Sequence, residues 1–234
     1  MKKQGIRALR RSVLLLALFA LWTILIQVVD VQPAGETGTM VGFATLNSLF
    51  HQWTGVHLWL YTATDWLSLA PVCVVLCYAG IGAIQWIRRK HLLLVDPDIL
   101  LLGVYYAVVI SCYLFFEMVP IHYRPVLLEG RMEASYPSST TLLVLSVMPT
   151  LIFRLRPRKW CVLLTMGYSI AMVAGRLISG VHWLVDIAGS LLLSGGLFSL
   201  YQAAVWLCCR NDDKKEGFLW NFTKNYRNCG DTGD

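Results

Sequence analysis

The sequence has few charged side chains for its length. Only 15% of its 234 residues are Asp, Glu, Lys or Arg, whereas 56% are hydrophobic. A typical soluble domain carries about 25% charged residues, because polar side chains must cover its surface. The composition therefore excludes an ordinary soluble domain and indicates that lipid covers part of the chain.

Charge is missing altogether from six long stretches. A helix that crosses a hydrocarbon layer of about 30 Å needs roughly 20 apolar residues, or fewer where flanking residues snorkel. Six runs without Asp, Glu, Lys or Arg approach this length, and the fourth and fifth are the weakest: 12–29, 66–87, 99–116, 136–153, 160–175 and 187–209. The sequence thus predicts an all-α polytopic membrane protein, with six transmembrane helices in one bundle over residues 1–210. A polar, mobile tail is expected over 211–234.

The basic residues that remain lie between alternate runs. Of the 20 Lys and Arg residues, 17 precede the first run, follow the second or sixth, or separate the fourth from the fifth. Cytoplasmic loops hold such an excess, so both termini are predicted to be cytoplasmic. Only Arg124, Arg131 and Arg176 fall on the outer face. The net charge of +6 is explained by this topology, and no nucleic-acid partner is implied.

Several other features are not expected. Every one of the seven cysteines falls in an apolar run or on the cytoplasmic side, so a disulfide framework is not predicted, nor is lipidation of Cys208 and Cys209. His51 and His57 stand six apart without an acidic cluster, which is poor zinc spacing, and no metal site is predicted. The first run is longer than the apolar part of a signal peptide and is interpreted as an uncleaved helix.

Residues that suit phosphate chemistry collect in the outer segments. Arg124 lies in the segment 117–139, and Arg176 stands before the only His-x-x-x-Asp pair of the chain, His182 and Asp186. A guanidinium is always charged and binds phosphate oxygens with a planar fork of donors, so two of them could clamp one phosphoryl group. Taken singly, either arginine could instead be a snorkelling anchor.

The His182–Asp186 spacing suggests a nucleophile and its partner. If the sixth helix begins near His182, both side chains share one helix face, and Asp186 can hold the imidazole proton on one nitrogen. The other nitrogen then has a lone pair that can attack phosphorus. A merely structural hydrogen-bonded pair is the alternative. Ser138 and Ser139 start the fourth helix, where they predict either an anion site or simple N-capping.

Together these residues resemble the type 2 phosphatidic acid phosphatase superfamily, whose motifs run KX6RP, PSxH and SRX5HX3D. Arg124-Pro125 resembles the end of the first motif, Pro137-Ser138 the start of the second, and Arg176, His182 and Asp186 match the third. The resemblance implies a six-helix lipid phosphatase. In that family the third-motif histidine is the nucleophile, its aspartate orients it, the arginines bind phosphate, and the second-motif histidine protonates the leaving group.

Three positions depart from the family pattern. Glu117 stands in place of the first-motif lysine, Thr140 in place of the second-motif histidine, and Gly175 in place of the third-motif serine. A carboxylate at 117 would repel phosphate unless it turns away, and a threonine is no general acid near neutral pH. His122 is the nearest substitute acid, with Glu133 and Tyr136 as other candidates.

The first hypothesis is therefore a membrane lipid-phosphate or lipid-pyrophosphate phosphatase that forms a phosphohistidine at His182 without any metal or other cofactor. Its site would face the periplasm or exterior of a cell membrane, with lipid phosphates as substrates and membrane lipids as surroundings. Phosphatidic acid, phosphatidylglycerol phosphate and polyprenyl pyrophosphate are the substrates that the resemblance implies, and the acidic leaving group of a pyrophosphate suits the absent second-motif histidine best. The alternatives are a catalytically impaired relative that binds or translocates anionic lipids, and a phosphotransferase. The oligomeric state stays open.

Overall fold

A computed structural model describes residues 2–36, 38–155 and 159–209, apart from the side chain of Cys209. The predicted tail, 211–234, lies outside these residues. The helices are α1 Lys2–Val28, α2 Ala44–Thr54, α3 Leu58–Leu67, α4 Leu69–Arg89, α5 Pro97–Met118, α6 Ser139–Leu155, α7 Lys159–Ile178 and α8 Leu184–Ala204. A 3₁₀ turn, Leu92–Leu94, precedes α5, and a π-helical turn, Val205–Cys209, continues α8.

The long helices confirm a multi-pass membrane protein. Five segments of the described chain are long and apolar enough to cross a membrane: Lys2–Val28, Leu58–Arg89, Pro97–Met118, Lys159–Ile178 and Leu184–Cys208. The fourth predicted run forms α6, which has only 17 residues because Tyr136, Pro137 and Ser138 lie outside the helix. The predicted count of six membrane helices therefore stays a prediction, as does the orientation of the termini.

Helix α8 lies at the centre of the bundle. It packs against α1, α5 and α6, and small side chains let its neighbours approach. A Cβ on Gly196, for instance, would come within 2.7 Å of Leu16 on α1, and the Ser12 hydroxyl donates to the Gly196 carbonyl at 2.9 Å. Outward-facing large apolar side chains such as Leu14, Ile24 and Ile170 cover the bundle surface, as expected for contact with lipid.

The segments that join the helices at one end of the bundle are folded. We call this the site end; it comprises 29–57, 119–138 and 179–183. The first segment pairs two short strands in antiparallel register, β1 (Gln32–Ala34) and β2 (Thr39–Val41), before α2. The second forms a hairpin with β-bridges Tyr123–Ala134 and Leu128–Arg131. The predicted all-α class is thus confirmed for the bundle, with short β pairing added at this end.

Candidate active site

The hairpin between α5 and α6 carries three side chains into the site. Its tip has positive φ at Glu129 (51°) and Gly130 (73°), as in the two-residue turns that match the twist of paired strands. The Arg124 N–H donates to the Glu133 carbonyl at 3.1 Å, and the Ser135 N–H donates to the His122 carbonyl at 2.8 Å. This pairing brings His122 and Ser135, which are far apart in sequence, side by side.

His182 lies in a tight loop between α7 and α8. Gly180 has φ +71°, and a Cβ there would come within 2.1 Å of the Gly55 carbonyl oxygen, so the loop requires glycine. The His57 N–H donates to the Ser179 carbonyl at 2.9 Å, which fastens this loop to the α2–α3 connection. His182 is held there with only 3% of its surface exposed.

The predicted direct pairing of His182 with Asp186 is wrong in its geometry. Helix α8 begins at Leu184 with Trp183 as its N-cap, so His182 precedes the helix and does not share a face with Asp186. The Asp186 carboxylate instead accepts from the Trp183 N–H at 3.0 Å, from Nδ1 of His122 at 3.2 Å, and from the Ser135 hydroxyl in a short hydrogen bond. Ser135 stands between the two residues that the spacing had paired.

The hydrogen-bond network fixes the tautomer of His182. A carboxylate can only accept, so the single hydroxyl proton of Ser135 points to Asp186. Oγ of Ser135 must then accept from Nδ1 of His182, which lies 3.2 Å away. Nε2 of His182 carries the lone pair, is buried, and has no hydrogen-bond partner among the described residues.

His122 is not placed as the substitute acid that the sequence suggested. Its Nε2 accepts from the Gly42 N–H at 3.1 Å, so its proton lies on Nδ1 and is donated to Asp186. Both ring nitrogens are therefore engaged inside the protein, and His122 is only 2% exposed. The geometry makes it a support for Asp186.

Arg124 and Arg176 flank the same aromatic ring. The guanidinium carbons lie 5.6 Å and 4.6 Å, respectively, from the centre of the Tyr61 ring on α3. Nη2 of Arg124 pairs with Glu133 at 3.2 Å, and Nη2 of Arg176 pairs with Asp65 at 2.8 Å. Nε and Nη1 of both arginines are buried without a partner in the described chain. Four strong donors are thus left for an anion.

Ser138 and Ser139, the two serines in the second-motif segment, have different surroundings. Oγ of Ser138 is buried and unpartnered among the described residues, while its carbonyl accepts from the Ser190 hydroxyl at 3.2 Å. Ser139, the first residue of α6, lines a separate small cavity together with Glu117 and Tyr113. The Ser138 hydroxyl is therefore buried without a partner in the described chain, whereas Ser139 lines the cavity beside Glu117.

Burial and two nearby cations act on His182. Removal from water lowers the pKa of its imidazole well below the usual range, and the charges of Arg124 and Arg176 lower it further, while a backbone hydrogen bond with Ser135 opposes them. The imidazole is consequently neutral at physiological pH. A neutral imidazole with a free Nε2 lone pair is the form that acts as a nucleophile.

The departures from the family pattern have structural explanations. Glu117 is exposed at the end of α5, so solvent screens its charge. The Thr140 hydroxyl accepts a short hydrogen bond from Nη2 of Arg176. A Cβ on Gly175 would lie 2.7 Å from Cγ2 of Thr64, so the glycine lets α3 approach α7.

Three residues of the site were missed in the sequence. Ser135 and Tyr61 belong to no motif, and Asp65 directly precedes the second charge-free run, which begins at Trp66. Two signals in the sequence could have found them. The Glu-Gly turn predicts the hairpin that carries Ser135, and a helix that begins before the second charge-free run would include Tyr61 and Asp65. No group of three metal-ligating residues occurs in the described ranges, and the His51 ring contacts that of Trp183 in a tilted arrangement, with 5.7 Å between the ring centres.

Comparison with known proteins supports the motif assignment. Residues 99–208 match the sequence model of the PAP2 superfamily. Among solved structures, the fold is similar to that of the first transmembrane PAP2 type phosphatidylglycerolphosphate phosphatase from Bacillus subtilis, with a TM-score of 0.62 and 16% identity over 86% of this chain and 99% of that one. No curated protein matches the chain. The resemblance to the type 2 phosphatidic acid phosphatase superfamily is thus confirmed over residues 99–208, which hold Arg124, Arg176, His182 and Asp186 within the fold of a membrane phosphatase.

Proposed function

We propose that the protein is a membrane phosphatase for lipid phosphates, and that it works through a phosphohistidine at His182. One observation carries the proposal: the buried polar atoms that lack partners in the described chain include Nε2 of His182, Ser138 Oγ, and Nε and Nη1 of both Arg124 and Arg176. Buried donors and acceptors in native proteins are almost always satisfied. A bound phosphoryl group would satisfy the four arginine donors and receive the lone pair of His182.

The proposed chemistry has two steps. The arginines bind the non-bridging phosphate oxygens, and Nε2 attacks phosphorus while the bond to the leaving oxygen breaks. Positive charge then develops on the His182 ring, and Asp186 stabilises it through Ser135, whose Oγ accepts the Nδ1 proton and donates its own to the carboxylate. Water attacks the phosphohistidine in the second step, the P–N bond breaks, and inorganic phosphate leaves. No metal takes part in this scheme, so turnover is expected to persist in the presence of a chelator.

The site is proposed to open to the periplasm or exterior, because the basic residues predict a cytoplasmic location for the opposite ends of the helices. A lipid substrate then presents its phosphate at the outer surface of the membrane. The phosphatidylglycerolphosphate phosphatase named above has a similar fold, and phosphatidylglycerol phosphate is accordingly one of the substrates to test. Phosphatidic acid and polyprenyl pyrophosphate are the others.

A second candidate function is an impaired relative that binds or translocates anionic lipids. The observation in its favour is Thr140, whose hydroxyl is already held by Arg176 and which supplies no acidic proton. The same arginines would then serve as a cradle for a lipid headgroup. Binding without release of phosphate separates this candidate from the phosphatase, and transfer of phosphate to an added alcohol would identify a phosphotransferase.

The deciding experiment uses the purified full-length protein in lipid nanodiscs. Phosphate release is measured over the three substrates, and acid-labile, base-stable labelling of the protein is followed with ³²P-labelled substrate. His182→Ala should lower release by at least about 10⁴-fold and abolish the label, because no other nucleophile replaces the imidazole. His51→Ala, a histidine at the same end that contacts Trp183, should retain both.

Release or labelling that survives in His182→Ala would overturn the phosphohistidine mechanism. If no substrate releases phosphate, while anionic vesicles bind the wild type and not Arg124→Ala, the impaired binder is the correct function.

A further inference from the structure

Neither Thr140 nor His122, the first candidates for the general acid, is placed to protonate the leaving oxygen. Thr140 occupies the position of the family's general acid, and its hydroxyl accepts from Arg176. His122 has both ring nitrogens engaged. An alkoxide is a poor leaving group, and a general acid contributes about 10²- to 10⁴-fold to such a reaction. An efficient phosphatase for lipid monoesters therefore needs a proton donor from elsewhere in the fold.

A carboxyl group lies beside Thr140, the residue at the position of the family's general acid. Oδ1 of Asp65 on α3 is 2.8 Å from Nη2 of Arg176, and that same nitrogen donates to Oγ1 of Thr140. The two oxygens thus share one donor, which places Asp65 next to the residue that stands where the family histidine would be. Asp65 on α3 comes close to Arg176 on α7 because Gly175 lets the two helices pack closely.

Asp65 lies at the border between the buried site and the surface of the bundle. Its side chain is 59% exposed, whereas that of Arg176, its partner, is 2% exposed. The carboxyl group therefore reaches the protein surface while it contacts the buried phosphate site. The charged group that contacts it is Arg176 from α7. Tyr61, one turn earlier on α3, and Arg124 from the hairpin act in turn on Arg176, and both guanidinium groups lie over the Tyr61 ring.

We propose that Asp65 is the general acid and base of this phosphatase, in the role that the second-motif histidine has elsewhere in the family. The proposal rests on the phosphohistidine function proposed above. It identifies a catalytic residue outside the three sequence motifs and outside the matched range 99–208.

The protons and bonds balance over one cycle. Nε2 of His182 forms a bond to phosphorus, the P–O bond to the lipid breaks, and the carboxyl proton of Asp65 passes to the leaving oxygen to give the alcohol. Water then attacks phosphorus and gives a proton to the Asp65 carboxylate, while the P–N electron pair returns to His182. Inorganic phosphate is released, and Asp65 is protonated again for the next substrate.

Substrate binding also changes the contacts of Asp65. In the structure the carboxyl group is paired with Arg176. An incoming phosphate dianion competes for that guanidinium, which releases the carboxyl group to meet the leaving oxygen.

The test compares leaving groups in Asp65→Asn. A long-chain alkyl phosphate leaves as a basic alkoxide and p-nitrophenyl phosphate as a weakly basic phenolate, so only the first depends strongly on an acid. Asp65→Asn should lower alkyl phosphate turnover by about 10²- to 10³-fold and formation of the p-nitrophenol burst by less than about tenfold. The label on His182 should then accumulate with p-nitrophenyl phosphate, because the water step has lost its base.

A second experiment restores a histidine at position 140, where the family has its general acid. Thr140→His in the Asp65→Asn background should recover a large part of the alkyl phosphate turnover, since it places an imidazole at the position of the family's general acid. Binding of orthovanadate, a phosphate analogue, should be unchanged or tighter in Asp65→Asn, because a competing anion has been removed from Arg176.

A residue that merely positions Arg176 would give a different pattern. Equal losses for both substrates, together with weaker vanadate binding and no recovery by Thr140→His, would overturn the role of Asp65 while leaving the phosphohistidine intact. Absence of both turnover and label in the wild type would overturn the two proposals together, so the failures are distinguishable.

Discussion

Both ends of the helix bundle contain buried polar groups. Those opposite the site bond mostly to one another, although Oγ of Ser146 is buried there without a partner in the described chain. At the end opposite the site, the Tyr106 hydroxyl bonds to Thr150 at 2.8 Å, the Tyr105 hydroxyl donates to the Ser146 carbonyl at 3.0 Å, and Arg154 donates to the Asp98 carbonyl at 3.2 Å. At the site end, Nε2 of His182 and two nitrogens of each flanking arginine have no partner among the described residues.

The difference separates a structural polar cluster from a functional one. A satisfied buried hydrogen bond adds about 1 kcal/mol to stability, whereas an unsatisfied buried group costs about 1–3 kcal/mol, and more if it is charged. Under the proposed function, a bound phosphoryl group would supply the partners that the cations at the site end lack. Substitutions at the two ends should therefore act on different properties: activity at the site end and stability at the other.

The largest effect in this comparison is expected for Arg176→Ala. It removes the donors of one guanidinium, and loss of such a group from a site that stabilises developing negative charge lowers kcat by about 10²- to 10³-fold. Phosphate release in nanodiscs measures the change. Arg131→Ala, which removes an exposed arginine from the tip of the hairpin between α5 and α6, should change release by less than twofold. Equal losses in the two variants would show that net charge at this end matters and the clamp does not.

A smaller loss is expected for Ser135→Ala. The change removes the acceptor of the His182 Nδ1 proton, although Asp186 keeps its bonds from Trp183 and His122. A hydrogen bond to a charged group is worth about 1.5–3 kcal/mol, so kcat should fall by about 10- to 100-fold with KM nearly unchanged. The measurement is steady-state phosphate release against substrate concentration.

A double variant tests whether Ser135 connects His182 to Asp186. If Ser135 transmits the effect of Asp186, adding Asp186→Asn to Ser135→Ala should cost far less than Asp186→Asn costs alone. Additive losses in the double variant would break the connection between the two residues. Ser111→Ala, on the exposed face of α5, should leave both constants as in the wild type.

The helices were largely readable from the sequence, because runs without charge follow directly from the solvent requirements of lipid. The exception is instructive. The second run was counted from Trp66, since Asp65 carries a charge, but the helical segment already begins at Leu58. Asp65 is accommodated there by its ion pair with Arg176, a contact between residues 111 positions apart. Single-sequence patterns contain no information about that pairing.

The site was predictable to the extent that its chemistry lies in short spacings. Arg176, His182 and Asp186 stand at fixed offsets, and Arg124 follows from its motif. The direct contact of His182 with Asp186 was wrong because it assumed that α8 begins two residues earlier than Leu184. Ser135 could not be found by spacing, since only the turn at Glu129 and Gly130 brings it against His122. Helix boundaries and strand register are set by tertiary packing, which sequence periodicity does not resolve.

The smallest effect is expected at the end of the bundle opposite the site. Tyr106→Phe removes the hydroxyl that bonds to Thr150, while Oγ1 of Thr150 keeps its donation to the Val147 carbonyl at 2.7 Å. No buried group is left unsatisfied on Thr150, so the loss should be about 1 kcal/mol of unfolding free energy, with phosphate release unchanged. Unfolding of the detergent-solubilised protein, monitored by intrinsic fluorescence, measures the first quantity. Thr150→Val in the Tyr106→Phe background should add less than it costs alone, because the two residues share one bond. A drop in phosphate release that exceeds the loss of folded protein would show that the two ends are coupled, and the division between a structural end and a functional end would then fail.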